Sequence, residues 1–231
     1  MNQDSIFLNY EGDNWFKRNF SSLIDVSSGD LILDIIRQYG IVPKNVLEIG
    51  ASNGFRLNKI NMLYKSKCTA VEPSESAIKD GKERYPHIEF HKSLASELPF
   101  DNTKKFDMII INFVFHWISR EKLYKTIFEI DRVLSDNGLL IIGDFLPDSP
   151  VKVNYHHIKD EQIWTFKQDY AKIFTSSNLY TIVGFMTGHH EKKELDPNAD
   201  SMNRISVSLL RKNYDAYPEL KFRNENNNGA R

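Results

Sequence analysis

Val46-Leu47-Glu48-Ile49-Gly50-Ala51-Ser52-Asn53-Gly54-Phe55 runs from a short apolar stretch into a loop of small residues that opens a helix. The near-continuous apolar run at Val46–Ile49 is what a strand buried on both faces requires. A second run, Thr69-Ala70-Val71, closes on Glu72-Pro73, 24 residues after Glu48. Strand, tight loop, helix and a second strand ending in a carboxylate form the front half of a nucleoside-binding βαβ unit. The loop lies where backbone must approach a ligand closely, and Glu72 lies where a ribose would sit. The expectation is a bound nucleoside cofactor.

A dinucleotide fingerprint wants three glycines around a pyrophosphate at a helix N-terminus. Here the spacing is Glu-x-Gly-x-x-x-Gly, with Ser52 in place of the middle glycine. Glu48 would repel a pyrophosphate and suits a positively charged amino group. S-adenosylmethionine has such a group, carries no phosphate and offers ribose hydroxyls to Glu72. At these residues the chain resembles the class I S-adenosylmethionine-dependent methyltransferases, whose first motif reads Val-Leu-Glu-Ile-Gly followed by small residues. The alternative is an ordinary strand–turn–helix in which Gly50 and Gly54 serve only the turn.

Three later segments extend the resemblance in order across residues 45–145. Ser93-Leu94-Ala95-Ser96-Glu97-Leu98-Pro99-Phe100 is similar to the family's loop beside the adenine, with Leu94 where an aspartate is frequent. Phe106–Trp117 resembles the fourth strand and the cofactor-facing residues after it, and Arg132–Ile142 the helix end, turn and fifth strand. The resemblance implies that Glu48, Gly50, Ser52 and Gly54 shape the methionine end of the cofactor. Glu72 would hold the ribose hydroxyls, Leu94 and Ala95 would border adenine, and Asn112 would bind the methionine end. It implies a Rossmann-like, doubly wound α/β fold of about seven strands, mostly parallel with an antiparallel last strand.

A chain of 231 residues with net charge −1 suits one such domain with additions. No Lys/Arg run supplies the basic face that a nucleic-acid partner would need. Cys68 is the only cysteine, which excludes an internal disulfide and a multi-cysteine zinc site. No leader pattern or membrane-length apolar run is seen, so the protein reads as soluble and cytoplasmic, with a small-molecule substrate. Its oligomeric state is not legible.

Residues 1–40 read as an N-terminal helical cap, 41–222 as the cofactor-binding domain and 223–231 as a disordered tail. The βα alternation holds through Phe145. Leu146–Asp160 then reads as a long loop, Trp164–Phe174 as a helix, and Tyr180–Met186 with Arg204–Leu210 as a closing hairpin.

Methyl transfer to a hydroxyl needs a group to take the proton, whereas an anionic oxygen needs only positioning. His116 follows the fourth strand. His156 and His157 lie in the irregular loop, and Asp144 ends the fifth strand; these four are the candidate catalytic residues. Each also has a plain structural reading, as a packed or solvated side chain. His189 and His190 lie in a charged turn and read as solvated. Asn112 stands where a metal-dependent catechol-type site would need an acid, so no metal is expected. Asn112-Phe113 also lacks the rigid Pro-Pro-aromatic turn of the members that methylate nucleic-acid bases.

Trp15-Phe16-Lys17-Arg18-Asn19 precedes the cofactor fold as a dense aromatic and cationic cluster. Trp15 suits a cation–π lid over the sulfonium, and Arg18 or Asn19 suits the methionine carboxylate; the alternative is an anchored amphipathic helix. A similar segment, together with Tyr155-His156-His157 and Lys167-Gln168-Asp169-Tyr170, gives a weaker resemblance to methyltransferases of bacterial surface-sugar pathways and polysaccharide biosynthesis. It points to O-methylation of a sugar, nucleotide-sugar or phosphorylated metabolite. The rival readings are a nicotinamide-dependent oxidoreductase, disfavoured by Glu48 and the missing glycine, and a catalytically silent methyltransferase-like binding protein.

Overall fold

Met108, Ile109, Ile110 and Ile111 are all fully buried, yet they divide alternately between two cores. Met108 and Ile110 pack with one set of helices, Ile109 and Ile111 with another. Successive strand side chains point to opposite faces, so a strand apolar at every position must be covered on both sides. That requirement makes the molecule a three-layer α/β sandwich.

The computed structural model describes residues 3–24, 29–158, 161–192, 194–217 and 219–220, the side chains of 22–24 excepted. The expected tail, 223–231, lies outside the described residues. The N-terminal helices are α1 (Gln3–Ile6) and α2 (Gly12–Ile24), joined by a π-helical turn at Phe7–Glu11 and followed by α3 (Leu31–Gln38). Next come β1 (Asn45–Ile49), α4 (Phe55–Tyr64), β2 (Lys67–Glu72), α5 (Glu75–Arg84) and β3 (Glu89–Lys92). They are followed by β4 (Phe106–Asn112), a 3-10 turn at Phe115–Trp117, α6 (Leu123–Val133) and β5 (Leu134–Phe145). The remainder is β6 (Val151–Asn154), β7 (Trp164–Lys167), α7 (Ala171–Thr175), β8 (Tyr180–His189), β9 (Glu194–Leu195) and β10 (Arg204–Lys212).

The main sheet has the order β3-β2-β1-β4-β5-β10-β8-β9. β1 to β5 pair in parallel, while β10 runs antiparallel to both β5 and β8. Eight strands therefore stand where about seven were expected, the addition being the two-residue β9. The chain leaves β1 toward one edge and returns to β4 toward the other, so a crevice opens at the carboxyl ends of β1 and β4. Helix α3 starts from Asp30, whose carboxylate accepts from the N–H groups of Ile32 and Leu33. Its Ile32, Ile35 and Ile36 lie on Ile205, Val207 and Leu209 of β10, so α3 belongs to a covering layer of the sheet.

Two readings of the chain are corrected. Residues 146–160 contain β6, and the expected helix at 164–174 begins as β7, with α7 only at its end. β6 and β7 pair antiparallel as a separate two-stranded sheet. The alternation was present in both pieces, Val151/Val153 and Trp164/Phe166, but each is too short to outweigh helical propensity until it meets its partner. The turn expected within Arg132–Ile142 is absorbed into β5 at residues 136–138, with Asn137 at φ +59°.

Candidate active site

The crevice deepens into a cavity of about 720 Å³ lined by the loop after β1, the ends of β2, β4, β5 and β10, the β6–β7 hairpin and the N-terminal arm. One lobe holds the expected cofactor residues. Gly50 has φ +72°, and a Cβ there would overlap Val114 Cγ2, so the chain can pass only as glycine. Ser52, at φ +51°, donates its backbone N–H to Glu72 Oε2 at 2.8 Å. Ser74 N–H donates to Glu72 Oε1 at 3.0 Å. Each oxygen of Glu72 thus spends one acceptor site on backbone and keeps another. Burial pushes the Glu72 carboxyl up to about 7 against these donors. The hydroxyls of Ser52 and Ser96 are buried without a partner among the described residues, and both residues line the cavity. Buried unpaired hydroxyls on a cavity wall mark where a polar ligand completes the site.

Leu94, Ala95 and Asn112 also line this lobe. A Cβ on Gly143 would overlap Asn112 Oδ1, so that glycine makes room for the amide. Glu48 and Gly54 are not among the lining residues. Gly54, at φ +78°, is the N-cap of α4. Glu48 is 1% exposed and ion-paired with Arg56, which also binds Asp30 Oδ2 at 2.9 Å. Burial pushes Glu48 up to about 7, opposed by the Arg56 guanidinium. Arg56 does line the cavity, so the acid faces the ligand through its partner.

His116 sits between the lobes in the 3-10 turn and is 3% exposed. Its Nδ1 lies 2.8 Å from Asp144 Oδ1, and Asp144 also accepts from the backbone N–H groups of His116 and Phe145. Asp144 is therefore below the cavity wall, while His116 lines it. The preceding Phe113 has φ +54°, a left-handed conformation that a bulky residue adopts only under constraint. Its N–H donates to Gly143 O, and its ring meets His116, Phe145 and His190.

The second lobe is walled by Val153, Asn154, Tyr155, His156, His157, Thr165, Lys167, His190 and Glu191, with Phe113 and Phe145. The rings of His156 and His157 lie 4.0 Å apart, and burial with the nearby Arg18 charge pushes His157 below its ordinary value. His190, exposed in the turn after β8 as expected, also borders the cavity, its ring 4.8 Å from Phe145 and 5.1 Å from Phe113. Burial pushes His190 down.

The N-terminal arm covers both lobes. Gln3 Nε2 donates to Trp117 O and Trp164 O, and its Oε1 accepts from Trp164 N–H. Phe7 stacks on Trp117 at 5.0 Å, and Trp15 meets Trp117 edge-on at 6.2 Å. Trp15 and Asn19 line the cavity, but Arg18 does not. Arg18 pairs with the buried Glu11 and donates to Tyr155 Oη at 3.0 Å, while Tyr155 donates to Glu11 at 2.6 Å. Asp13 accepts from Ser74 Oγ and from Ser76 N–H, fastening the arm to the start of α5.

The structure thus gathers Trp15, Gly50, Ser52, Glu72, Leu94, Ala95, Asn112, His116, His156 and His157 on one cavity, with Glu48, Asp144, Arg18 and Gly54 behind it. Sequence reasoning passed over Arg56, Ser96 and Lys167 as site residues. Arg56 stands eight residues after Glu48 in the adjoining helix, a charge pairing that was open to inspection. Lys167 was hidden by the helical reading of its strand.

Residues 47–142 match the family model described as a methyltransferase domain. Among curated relatives, a malonyl-[acyl-carrier protein] O-methyltransferase of Legionella pneumophila is 22% identical over 199 residues, covering 83% of this chain and 62% of that protein. An uncharacterized methyltransferase of Alkaliphilus oremlandii is 28% identical over 103 residues, covering 45% of this chain and 46% of its own length. The chain therefore matches less than two thirds of either relative's length. Among solved structures, the Burkholderia thailandensis 1,6-didemethyltoxoflavin-N1-methyltransferase, bound to its substrate and S-adenosylhomocysteine, superposes with a TM-score of 0.68 at 15% identity. That match covers 92% of both chains. The N-methyltransferase NodS of Bradyrhizobium japonicum, with S-adenosylhomocysteine, gives 0.57 at 15% identity over 87% of this chain and 98% of its own.

Proposed function

We propose that this chain, which carries a class I S-adenosylmethionine-dependent methyltransferase domain, transfers the methyl group of that cofactor to an oxygen of a small polar acceptor. The acceptor classes it suits are a sugar, a nucleotide-sugar or a phosphorylated metabolite. S-adenosylmethionine supplies, when bound, an electrophilic methyl on a sulfonium whose leaving group is a neutral thioether.

The residues present fit that cofactor. Glu72 keeps one acceptor site on each oxygen for the ribose hydroxyls. Leu94, Ala95 and Ser96 border the adenine position. Gly50, Asn112 and Arg56 face the methionine end, with Glu48 and Asp30 holding Arg56 in place. Trp15 covers the sulfonium side from the arm. A pyrophosphate finds no middle glycine at Ser52, which weighs against a nicotinamide dinucleotide.

One observation carries the choice of oxygen: His116 lines the cavity between the lobes with Nδ1 committed to Asp144. A carboxylate accepts, so Nδ1 is the donor of this contact, and in a neutral imidazole Nε2 would then offer a lone pair to a hydroxyl proton. His116 is thereby favoured as general base, Asp144 as the group that orients it, and His156 and His157 as acceptor-binding residues. The N-terminal arm acts as a cap that closes over both ligands.

The test is label transfer from methyl-labelled cofactor to a panel of hydroxylated sugars, nucleotide-sugars and phosphorylated metabolites, preceded by calorimetric titration with S-adenosylhomocysteine and NAD. Binding of S-adenosylhomocysteine with labelled methyl ether as product supports the reading. Preferential NAD binding would end it, and cofactor binding with no transfer to any acceptor would favour the silent alternative.

A further inference from the structure

Phe145, at the end of β5, is the hub of the second lobe. His116 lies 5.2 Å from its ring on one side and His190 4.8 Å on another. Lys167 Nζ stands 3.8 Å from the ring centroid, at the distance of a cation–π contact. Lys167 also donates to Met202 O at 2.8 Å. An ammonium has three donors, and these two contacts leave one without a partner among the described residues.

The charges around Lys167 do not neutralise it. Among the described residues it forms no ion pair. The carboxylates whose charge reaches it are Asp144 and Asp200. Asp144 is already held by His116 and two backbone N–H groups, and Asp200 by the Met202 and Asn203 N–H groups and the Asn203 amide. Glu191 is the one carboxylate lining this lobe, at its exposed mouth beside His190. A half-buried lysine on an aromatic wall, with a histidine alongside and no ion pair among the described residues, suits a negatively charged group.

We propose that Lys167 and His190 form an anion subsite of the acceptor lobe, so that the molecule methylated carries a carboxylate or phosphate group distinct from the oxygen that receives the methyl. This rests on the acceptor reading above and narrows it. Lys167 anchors the anion, the Phe113 and Phe145 rings pack against the body of the acceptor, and the reacting hydroxyl is left facing His116. Burial pushes both Lys167 and His190 below their ordinary values, which an arriving anion would reverse.

The test uses the full chain loaded with S-adenosylhomocysteine and titrated with inorganic phosphate and, separately, with acetate, followed by histidine and lysine NMR shifts. Saturable binding is expected for at least one anion, weakened tenfold or more in Lys167→Met and retained in Lys167→Arg. Preference between the two anions tells phosphate from carboxylate. S-adenosylhomocysteine affinity reports folding, and should be the same in all three proteins. Absence of saturable anion binding to the unaltered protein, or equal binding in Lys167→Met, would overturn the subsite while leaving the methyltransferase reading intact. Failure of the unaltered protein to bind S-adenosylhomocysteine would instead remove that reading and this one with it.

Discussion

His116 Nδ1 and Asp144 Oδ1 stand 2.8 Å apart with each side chain 3% exposed. The contact fixes the imidazole from beneath the cavity, because Asp144 is itself pinned by the N–H groups of His116 and Phe145. Turning the ring would cost Asp144 Oδ1 its imidazole partner and leave it only the Phe145 N–H. If His116 is the base proposed above, its orientation is set before any acceptor arrives.

His116→Gln should therefore lower kcat by about 10²–10⁴ with cofactor affinity unchanged. Asp144→Asn should slow turnover as well, and the double substitution should cost little more than the larger single one, since both act through one imidazole. His156→Gln and His157→Gln should act mainly on KM. Steady-state kinetics with the identified acceptor checks this, and a kcat loss confined to His156 or His157 would move the base into the hairpin.

If Glu72 holds the ribose as proposed, it should make cofactor binding depend on pH. Burial pushes its carboxyl up to about 7, and the ionised form is the better acceptor for a ribose diol. Affinity for S-adenosylhomocysteine should rise as pH increases through about 7 and then level off. Without ligand the sign reverses. The native state holds a proton that the unfolded chain releases at the carboxyl's ordinary value of 4.5, so stability falls as pH rises from there through about 7. Glu72→Gln should weaken binding about tenfold or more, since each lost charge-assisted bond is worth about 1.5–3 kcal/mol, and should reduce both pH dependences. Calorimetry and thermal melts across that range measure the two effects.

Gly50→Ala combines a left-handed backbone with a collision against Val114. The first costs about 1–2 kcal/mol and the second about 1–3. The variant should melt lower and bind S-adenosylhomocysteine poorly. Adding Val114→Ala should recover only the collision share. Full recovery in the double variant would show that the backbone conformation is not constrained there.

Hydrogen exchange should report closure of the arm. Amides of residues 3–20 should gain protection when S-adenosylhomocysteine binds, because Trp15 lines the cavity and Phe7 stacks on Trp117 beside it. Tyr155→Phe, which removes the hydroxyl shared by Glu11 and Arg18, should diminish that gain. Protection identical with and without ligand would leave the arm as a fixed helical anchor.

The parallel half of the sheet was readable because its signals are local. Val46–Ile49 and Met108–Ile111 are apolar at every position, and Glu72 closes its strand on a carboxylate that needs only the adjacent loop to be paired. The β6–β7 hairpin was unreadable for the opposite reason. Val151 pairs with Lys167, sixteen positions on, and neither four-residue strand is marked by turn chemistry that would announce its partner. Lys167 was lost with it, since a residue assigned to a helix cannot be placed on a cavity wall. The ring contacts of His190 were not readable, because the charge of its exposed turn says nothing about Phe113 and Phe145, which follow β4 and end β5. The His116–Asp144 pair lay between these cases: both residues were singled out, but only the β4–β5 pairing brings them together.

Gln3 binds one carbonyl on the turn that holds His116 and another on the strand that holds Lys167. One side chain thus ties the two segments together, so on the proposed reading anything either ligand does to settle the arm should be felt by the other. Thermodynamic reciprocity then applies: the factor by which cofactor tightens acceptor binding must equal the factor by which acceptor tightens cofactor binding. A chamber tied in this way favours being full or empty, and Gln3→Ala should uncouple the two occupancies.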